Sequence, residues 1–416
     1  MFTKLKAIFI KARIWGVKGV VAYLKNALAR RRLQSFLCHN AQKYIYANPT
    51  KGITLIGRFT NGGSASKVLR DFACALKKTN IPYQTFNTDY SSSISTADAE
   101  GILTPISEFR FNRLTHVVEI YPTILPKSLS KNHARIAFWE FESGFLLAYP
   151  DMPLEKHVIA MSDFNANYLQ RELPSSTTIH KILYPFHFPP AHLPKREEIR
   201  QRYHIPKDAF VVLFNFDLAG AFNRKNPDGA LRAFAKAFPG DSNAQLVFKV
   251  KSAKDNPGPY NRLIQLTKDL TMVNRVHFIT EFLPEADLYG LTNACDVYLS
   301  LHRGEGFGIT LAEAMAMGKP VVCTDWSATR EFCKPDCTIP IPCRMVPVSP
   351  DQIDHPYYRE VKEWADPDIE AAAKALTELN ANPSLRKKLG ERATASIQSQ
   401  FSIERFRETI TSFLNH

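Results

Sequence analysis

From Gly52 onward the chain alternates short apolar runs with amphipathic stretches. Ile53-Thr54-Leu55-Ile56-Gly57 reads as a buried strand, the loop 60–64 follows, and the pattern predicts a helix from about Ser64 to Lys78. His116–Ile120, Ala134–Phe138 and His157–Met161 read as further strands, and Ser162 is placed to cap a helix over Asp163–Glu172. Pro185, Pro189, Pro190 and Pro194 then exclude both helix and central strand, which marks a linker. After it the rhythm restarts, with strands at Phe210–Phe216, Gln245–Val250, Val276–Ile279, Val297–Leu301 and Pro320–Cys323. Helices are expected between them at Pro227–Phe238, Tyr260–Leu270, Glu285–Asn293 and Ile309–Met317, and at the end over Ile369–Asn380, Pro383–Gln400 and Ile403–Leu414. This strand–helix alternation predicts an α/β protein with two doubly wound parallel sheets. Such sheets bind ligands at the carboxyl ends of their strands, so a cleft between the two is expected. The expected division is 49–188, 189–400 and a last helix at 401–416 packing back on the first domain.

The front of the chain is different. Residues 2–37 read as a helix with Phe2, Phe9, Val17, Val20, Val21, Leu24 and Leu28 on one broad arc, and 1–48 is set apart as a basic helical extension. The whole chain of 416 residues holds 53 Lys and Arg against 40 Asp and Glu, a net +13. Fourteen of the basic residues precede the first acid, Asp71, so the remainder is close to neutral. That disfavours a nucleic-acid surface spread over the fold and favours one local anionic contact. A basic helix with aromatic residues resembles an in-plane anchor for an anionic membrane surface, formed by residues 1–37. The alternative is a helix docked on the first domain with a solvated basic face. No apolar run is long enough to span a bilayer, and Lys11, Arg13, Lys18 and Lys25 interrupt any signal-peptide core. Seven cysteines without a framework predict a reduced, cytoplasmic protein.

The segment 303–322 carries the chemistry. Arg303-Gly304-Glu305-Gly306-Phe307-Gly308 is a glycine-rich turn between a strand and a helix. The amides of Gly306, Phe307 and Gly308 are placed to meet an anion at the helix start. Glu305 and Glu313 stand eight positions apart, a little over two turns, so both carboxylates can face one ligand and accept hydrogen bonds from vicinal hydroxyls. Asn223-Arg224-Lys225-Asn226-Pro227 places two adjacent cations before a proline-started helix, an arrangement suited to clamping a diphosphate.

The frame Gly-Glu-Gly-Phe-Gly…Glu-Ala-Met-Ala-x-Gly-x-Pro-Val-Val, with Glu305-x7-Glu313, resembles the signature of retaining glycosyltransferases of family 4 (glycosyl transferases group 1) over about residues 52–416. The resemblance implies a GT-B fold of two Rossmann-like domains facing a central cleft. It implies donor-sugar contact for Glu305, ribose contact for Glu313, and diphosphate and sugar contacts from the backbone at Gly306, Phe307 and Gly308. Lys225 falls on the family's diphosphate lysine. The family's arginine five residues earlier is Gly220 here, so Arg224 is the candidate replacement. Gly62 and Gly63 match the glycine loop of the first domain, where backbone approaches the donor. Where relatives carry an acceptor-side histidine, this chain has Trp139 and Glu140. Trp139 is a candidate to stack on a sugar, Glu140 to bind acceptor hydroxyls or take a proton, and Glu142 is a weaker acceptor candidate. His302 is expected to face the cleft, and Lys249 to reach the diphosphate. Glu331 is read as structural.

The resemblance implies metal-independent transfer with retention, with no cofactor beyond the nucleotide-diphosphate sugar donor. It also implies a saccharide or lipid-linked acceptor in bacterial envelope polysaccharide synthesis, on the inner face of the cytoplasmic membrane. Two other classes stay open: a sugar-nucleotide epimerase on the same fold, and a non-enzymatic basic adaptor for membrane or nucleic acid.

Overall fold

The structure is a computed structural model that describes residues 50–60, 63–88, 99–111, 113–120, 132–148, 156–190, 192–220, 222–240, 243–355 and 358–416, with isolated positions before Thr50. The basic segment 1–34 and Gly62 lie outside the described residues. The chain divides into two compact units, one ending at Ile136 with 155–157 added, the other comprising 137–154 and 158–416.

In the first unit, β1 (Thr50–Gly57), β2 (Tyr83–Asn87), β3 (Leu114–Ile120) and β4 (His133–Ile136) are parallel and ordered β2-β1-β3-β4. β1 is buried on both faces from Gly52 on, which is why it reads as an unbroken apolar run. The helix Ser64–Lys78 lays Val68, Leu69, Phe72, Ala73 and Leu76 into this core and ends on Lys77 and Lys78, whose charges suit a helix C-terminus. Glu119 and Arg135 are register partners across β3 and β4, and Arg135 Nη2 meets Glu119 Oε1 at 3.0 Å inside the unit. A buried ion pair of this kind costs desolvation and is tolerated because both partners are present.

The short strands β5 (His157–Ala160) and β6 (Thr178–Lys181) precede the larger sheet. That sheet consists of β7 (Phe210–Asp217), β8 (Ala244–Lys251), β9 (Val276–Ile279), β10 (Val297–Ser300), β11 (Val321–Thr324) and β12 (Ile339–Ile341), all parallel, in the order β12-β11-β10-β7-β8-β9. Its core is rich in phenylalanine, with Phe210, Phe214, Phe216, Phe234, Phe238 and Phe248 interlocked. An antiparallel hairpin, β13 (Cys343–Pro347) and β14 (Glu363–Pro367), follows the sheet. The predicted helices Asp163–Glu172, Pro383–Gln400 and Ile403–Leu414 occur with those bounds. Among the described residues no helix is long and apolar enough to cross a membrane, and Cys74, Cys295, Cys323, Cys333, Cys337 and Cys343 are not joined in disulfides.

Residues 158–188 are bonded to segments that come much later in the chain. Glu331 accepts from the amides of Asp163 and Phe164 at 2.9 and 2.8 Å, so a residue far along the chain supplies the anion at the start of helix Asp163–Glu172. Ser162 caps the same helix from within, accepting from Asn165 N at 3.1 Å. The amide of Leu183 donates to Thr409 on the last helix at 3.2 Å, and His180 packs edge-on against Phe413.

Replacing Glu331 by alanine strips two amide partners from a helix start and should cost about 1–3 kcal/mol. A lower midpoint in chemical denaturation is expected, and Glu331→Gln, which keeps one acceptor oxygen, should fall between the two. An unchanged midpoint for Glu331→Ala would show that water replaces the carboxylate at no cost.

Candidate active site

The loops at the carboxyl ends of β7, β10 and β11 build one cluster of charged groups. After β7 the chain forms a four-residue helix, Phe222–Lys225, which presents Arg224 and Lys225. Asn226 then adopts the left-handed conformation (φ 56°), its side chain accepts from Gly229 N, and Pro227 opens the helix Pro227–Ala237. The Asn226 Nδ2 also donates to the carbonyl of Leu301 at 2.9 Å, which pins this turn to the end of β10. After β10 comes the glycine-rich turn. A Cβ on Gly304 would stand 2.4 Å from the carbonyl oxygen of Glu140, so only glycine fits there. Glu305 N donates to Ser327 Oγ at 2.9 Å. The carbonyl of Gly306 accepts from Asn165 Nδ2 at 2.7 Å, and Asn165 Oδ1 in turn accepts from Trp139 N. Gly308 takes φ +94° and begins the helix Ile309–Ala316, which no side chain caps.

These backbone constraints bring opposite charges together. Lys225 Nζ is in contact with Glu305 Oε1. Arg224 Nη1 lies 3.6 Å from Glu305 Oε2, and its Nη2 lies 3.6 Å from Glu140 Oε1. Arg224 Nη1 also donates to the carbonyl of Gly304 at 2.9 Å. Burial works against the Glu305 carboxylate, but Lys225 and Arg224 outweigh it and hold its pKa down at about 2. Burial pushes Glu140 the other way, above the usual carboxylate range, with Arg224 opposing and Glu305 adding to the rise. Burial also disfavours the charge on Arg224, yet Tyr358, Glu140, Glu305 and Asp354 together raise it above its ordinary value. Two cations thus face one fixed carboxylate beside an uncapped helix start, the local chemistry expected of a diphosphate and sugar site.

The family described as Glycosyl transferases group 1 matches residues 195–339, and the one described as Glycosyl transferase-like matches 268–412. Over 222 residues the chain is 27% identical to the lipopolysaccharide core biosynthesis mannosyltransferase LpsB of Rhizobium meliloti, covering 52% of this chain and 59% of that protein. The chain therefore spans about three fifths of the length of that curated relative. A glycosyltransferase structure from Rickettsia africae resembles this one with a TM-score of 0.61 at 16% identity, covering 88% of this chain and 98% of the other. The structure of Anabaena Alr3699/HepE in complex with UDP and glucose matches with a TM-score of 0.58 at 14% identity, covering 88% and 99%. At these identities the two structures speak for the fold alone, and they agree with two Rossmann-like α/β units of the GT-B kind.

The structure gathers Glu305, Arg224 and Lys225 from the matched residues, and Glu140 joins them from an earlier segment of the chain. Glu313 lies on the helix Ile309–Ala316, half-buried, with the Tyr289 hydroxyl 3.3 Å from its Oε1 and 2.7 Å from Glu285 Oε1. Gly63 lies in the first unit, immediately before helix Ser64–Lys78. Lys249 is buried on β8, where desolvation lowers its pKa to about 8 against the opposing charges of Glu281 and Asp217.

Two acceptor expectations are corrected, those for Trp139 and His302. Trp139 is 1% exposed; its ring packs against Phe141, Phe145 and Tyr358, and its Nε1 donates to Ser143 O, so no face is left for a sugar. His302 is fully buried; Ser300 and Thr329 hydroxyls flank its ring nitrogens, and burial lowers its pKa to about 4, which leaves a neutral structural ring. Glu142 is paired with Arg171 at 3.2 Å on the surface. The ring of Phe307 stacks on Tyr184 and packs with Phe332 and Phe401, so only its backbone is available to a ligand. Sequence reasoning missed Tyr358, Asp354, Ser327 and Asn165, which fix the cluster from distant segments. For Asn165 a signal existed, since a carboxamide in the first turn of a helix, three residues after its cap, is placed to bond outward.

The depressed pKa of Glu305 gives a sign for acid sensitivity. Its stabilising charge is fully present above the ordinary glutamate value of 4.5 and is lost as the pH falls through about 2. Glu305→Gln should lower stability near neutral pH by about 3 kcal/mol, because Lys225 and Arg224 keep buried charge without their counter-ion. It should also flatten the loss of stability between pH 4.5 and about 2. Denaturation midpoints measured across that range check both; parallel curves for the two proteins would contradict the ion cluster.

Proposed function

We propose that this protein is a retaining, metal-independent glycosyltransferase of family 4. It moves a hexosyl group from a nucleotide-diphosphate sugar to a saccharide or lipid-linked acceptor in bacterial envelope polysaccharide synthesis. The observation that carries this reading is the convergence of Lys225 and Arg224 on Glu305 at the glycine-lined start of helix Ile309–Ala316. The likeness to a lipopolysaccharide core mannosyltransferase supports the class of product, and the Anabaena protein, solved with UDP and glucose, supports a nucleotide-sugar donor.

In this reading the donor diphosphate takes the two cations and the amides of Gly306, Phe307 and Gly308. Glu305 is then free to hold the sugar, and Glu313 accepts hydrogen bonds from the ribose. The bond between sugar C1 and the phosphate oxygen breaks. The acceptor hydroxyl oxygen bonds to C1 on the same face, and its proton passes to the leaving phosphate oxygen. Charge builds on the diphosphate during this step, so Arg224 and Lys225 stabilise the transition state more than the ground state. They supply the positive charge that a metal supplies elsewhere. The basic residues 1–37 serve as the contact with an anionic leaflet, where each Lys or Arg contributes about 1 kcal/mol.

Incubation with a panel of sugar nucleotides tests the class. The expected outcome is slow release of nucleoside diphosphate, faster with a lipopolysaccharide acceptor, and a product with the donor's anomeric configuration by NMR. An inverted product would exclude retention, and interconversion of the sugar without release would favour an epimerase. Glu313→Ala removes charged hydrogen bonds worth roughly 1.5–3 kcal/mol and should weaken nucleoside diphosphate binding about 10–100-fold in calorimetry. Unaltered binding would take Glu313 out of the site. For the membrane contact, the full chain should co-sediment with phosphatidylserine vesicles at low salt and be released by salt or by removal of residues 1–37; failure to sediment at low salt would remove that part of the proposal.

A further inference from the structure

The glycosyltransferase reading leaves a question open at Arg224. The resembling family carries an arginine five positions before its lysine, and Gly220 stands there in this chain. Arg224 projects from a helix of only four residues, and a side chain with four rotatable bonds on so short an element does not hold one direction by itself. The structure shows what holds it.

The wall behind Arg224 comes from the loop between β13 and β14. That loop is fastened at several points around the cation. The amide of Asn223 donates to Asp354 Oδ2 at 2.7 Å, and the Asn223 carboxamide donates to the Gln352 carbonyl at 2.9 Å. On the far side of the loop, Lys362 N donates to Ser143 Oγ at 3.0 Å. Gly144, at φ +88°, lets the Glu360 backbone approach so closely that an added Cβ would touch it at 3.0 Å. Between these anchors stands Tyr358, 9% exposed. Its ring packs against Phe141 with centroids 5.1 Å apart and against Trp139 at 5.7 Å. Its face lies 5.7 Å from the Arg224 guanidinium carbon, within cation–π range. Its hydroxyl donates to Glu140, the carboxylate on the other flank of Arg224.

We propose that Tyr358 is a positioning residue for the transfer reaction: its ring and hydroxyl hold Arg224, through Glu140, in the direction that lets it replace the arginine missing at Gly220. This rests on the glycosyltransferase reading for its consequence but not for its geometry. Each contact has a separate job. The ring closes one face of the guanidinium. The hydroxyl satisfies Glu140, so that this carboxylate stays beside Arg224 Nη2. Nη1 is then left directed to the Gly304 carbonyl and Glu305, where the diphosphate enters. Buried Trp139 acquires a function here that is not sugar stacking, since it backs the tyrosine ring.

The test uses the full chain and the variants Tyr358→Phe, Tyr358→Leu, Arg224→Lys and the double variant Tyr358→Leu/Arg224→Lys. The first readout needs no activity. In 15N- and 13C-labelled arginine spectra, the guanidinium signals that vanish in Arg224→Lys belong to Arg224. They should be split by hindered rotation in the wild type, remain split in Tyr358→Phe, which keeps the ring, and collapse in Tyr358→Leu. Split signals in Tyr358→Leu would overturn the positioning role. The second readout is kinetic. Tyr358→Leu should lower kcat about 10–30-fold with the donor KM within about threefold, and Tyr358→Phe should recover most of that loss. In the Arg224→Lys background, Tyr358→Leu should cost less than about twofold, because the group it positions is gone. A full 10–30-fold loss in that background would show that Tyr358 acts on something other than Arg224. If the signals behave as expected but the wild-type protein transfers no sugar, the positioning stands and the glycosyltransferase reading falls.

Discussion

The contact of Lys225 and Arg224 with the Glu305 carboxylate is the constraint around which the second unit is arranged. Three charges share a poorly solvated space, and none would be tolerated there alone. Gly304 lacks a side chain because the Glu140 carbonyl occupies the place of a Cβ. Ser327 holds the Glu305 amide, Asn226 fixes the cation-bearing turn to the end of β10, and Asn165 holds the Gly306 carbonyl. In the proposed function Glu305 occupies the cations as a phosphate would, so both already face an anionic partner. Anion binding is then an exchange of partners rather than the creation of a new buried charge, which keeps its desolvation cost low.

Most of the elements are legible in the sequence because their signals are local. Pro227 after Asn226 marks a helix start, and Ser162 and Pro383 mark two others, so these boundaries match to within a residue. The long apolar runs of β7 and β8 identify buried parallel strands. What fails is short or non-local. β2 (Tyr83–Asn87) and β6 (Thr178–Lys181) are mostly polar and lack the apolar run that marks the other short strands. The hairpin of β13 and β14 has prolines close by and little alternation, so it carries no clear strand signal.

The site shows the same split. The spacing of Glu305 and Glu313, and the adjacent cations at 224 and 225, are readable because one short segment carries each. The direction of a side chain at a strand end is not. Trp139 and Glu140 are neighbours, yet one turns into an aromatic cluster with Tyr358 and the other toward Arg224. Nothing near residue 139 in sequence announces a tyrosine more than two hundred positions away. His302 obeys the same logic, since the hydroxyl of Thr329 that engages it arrives from the loop after β11.

The most direct measurement of the central claim is a crystal structure of the protein with a bound nucleoside diphosphate, soaked as UDP and as GDP. The account predicts that the terminal phosphate lies within hydrogen-bond distance of Lys225 Nζ and an Arg224 guanidinium nitrogen, at the start of helix Ile309–Ala316, with the Lys225–Glu305 contact opened. A diphosphate bound elsewhere, with Lys225 still closed on Glu305, would contradict it.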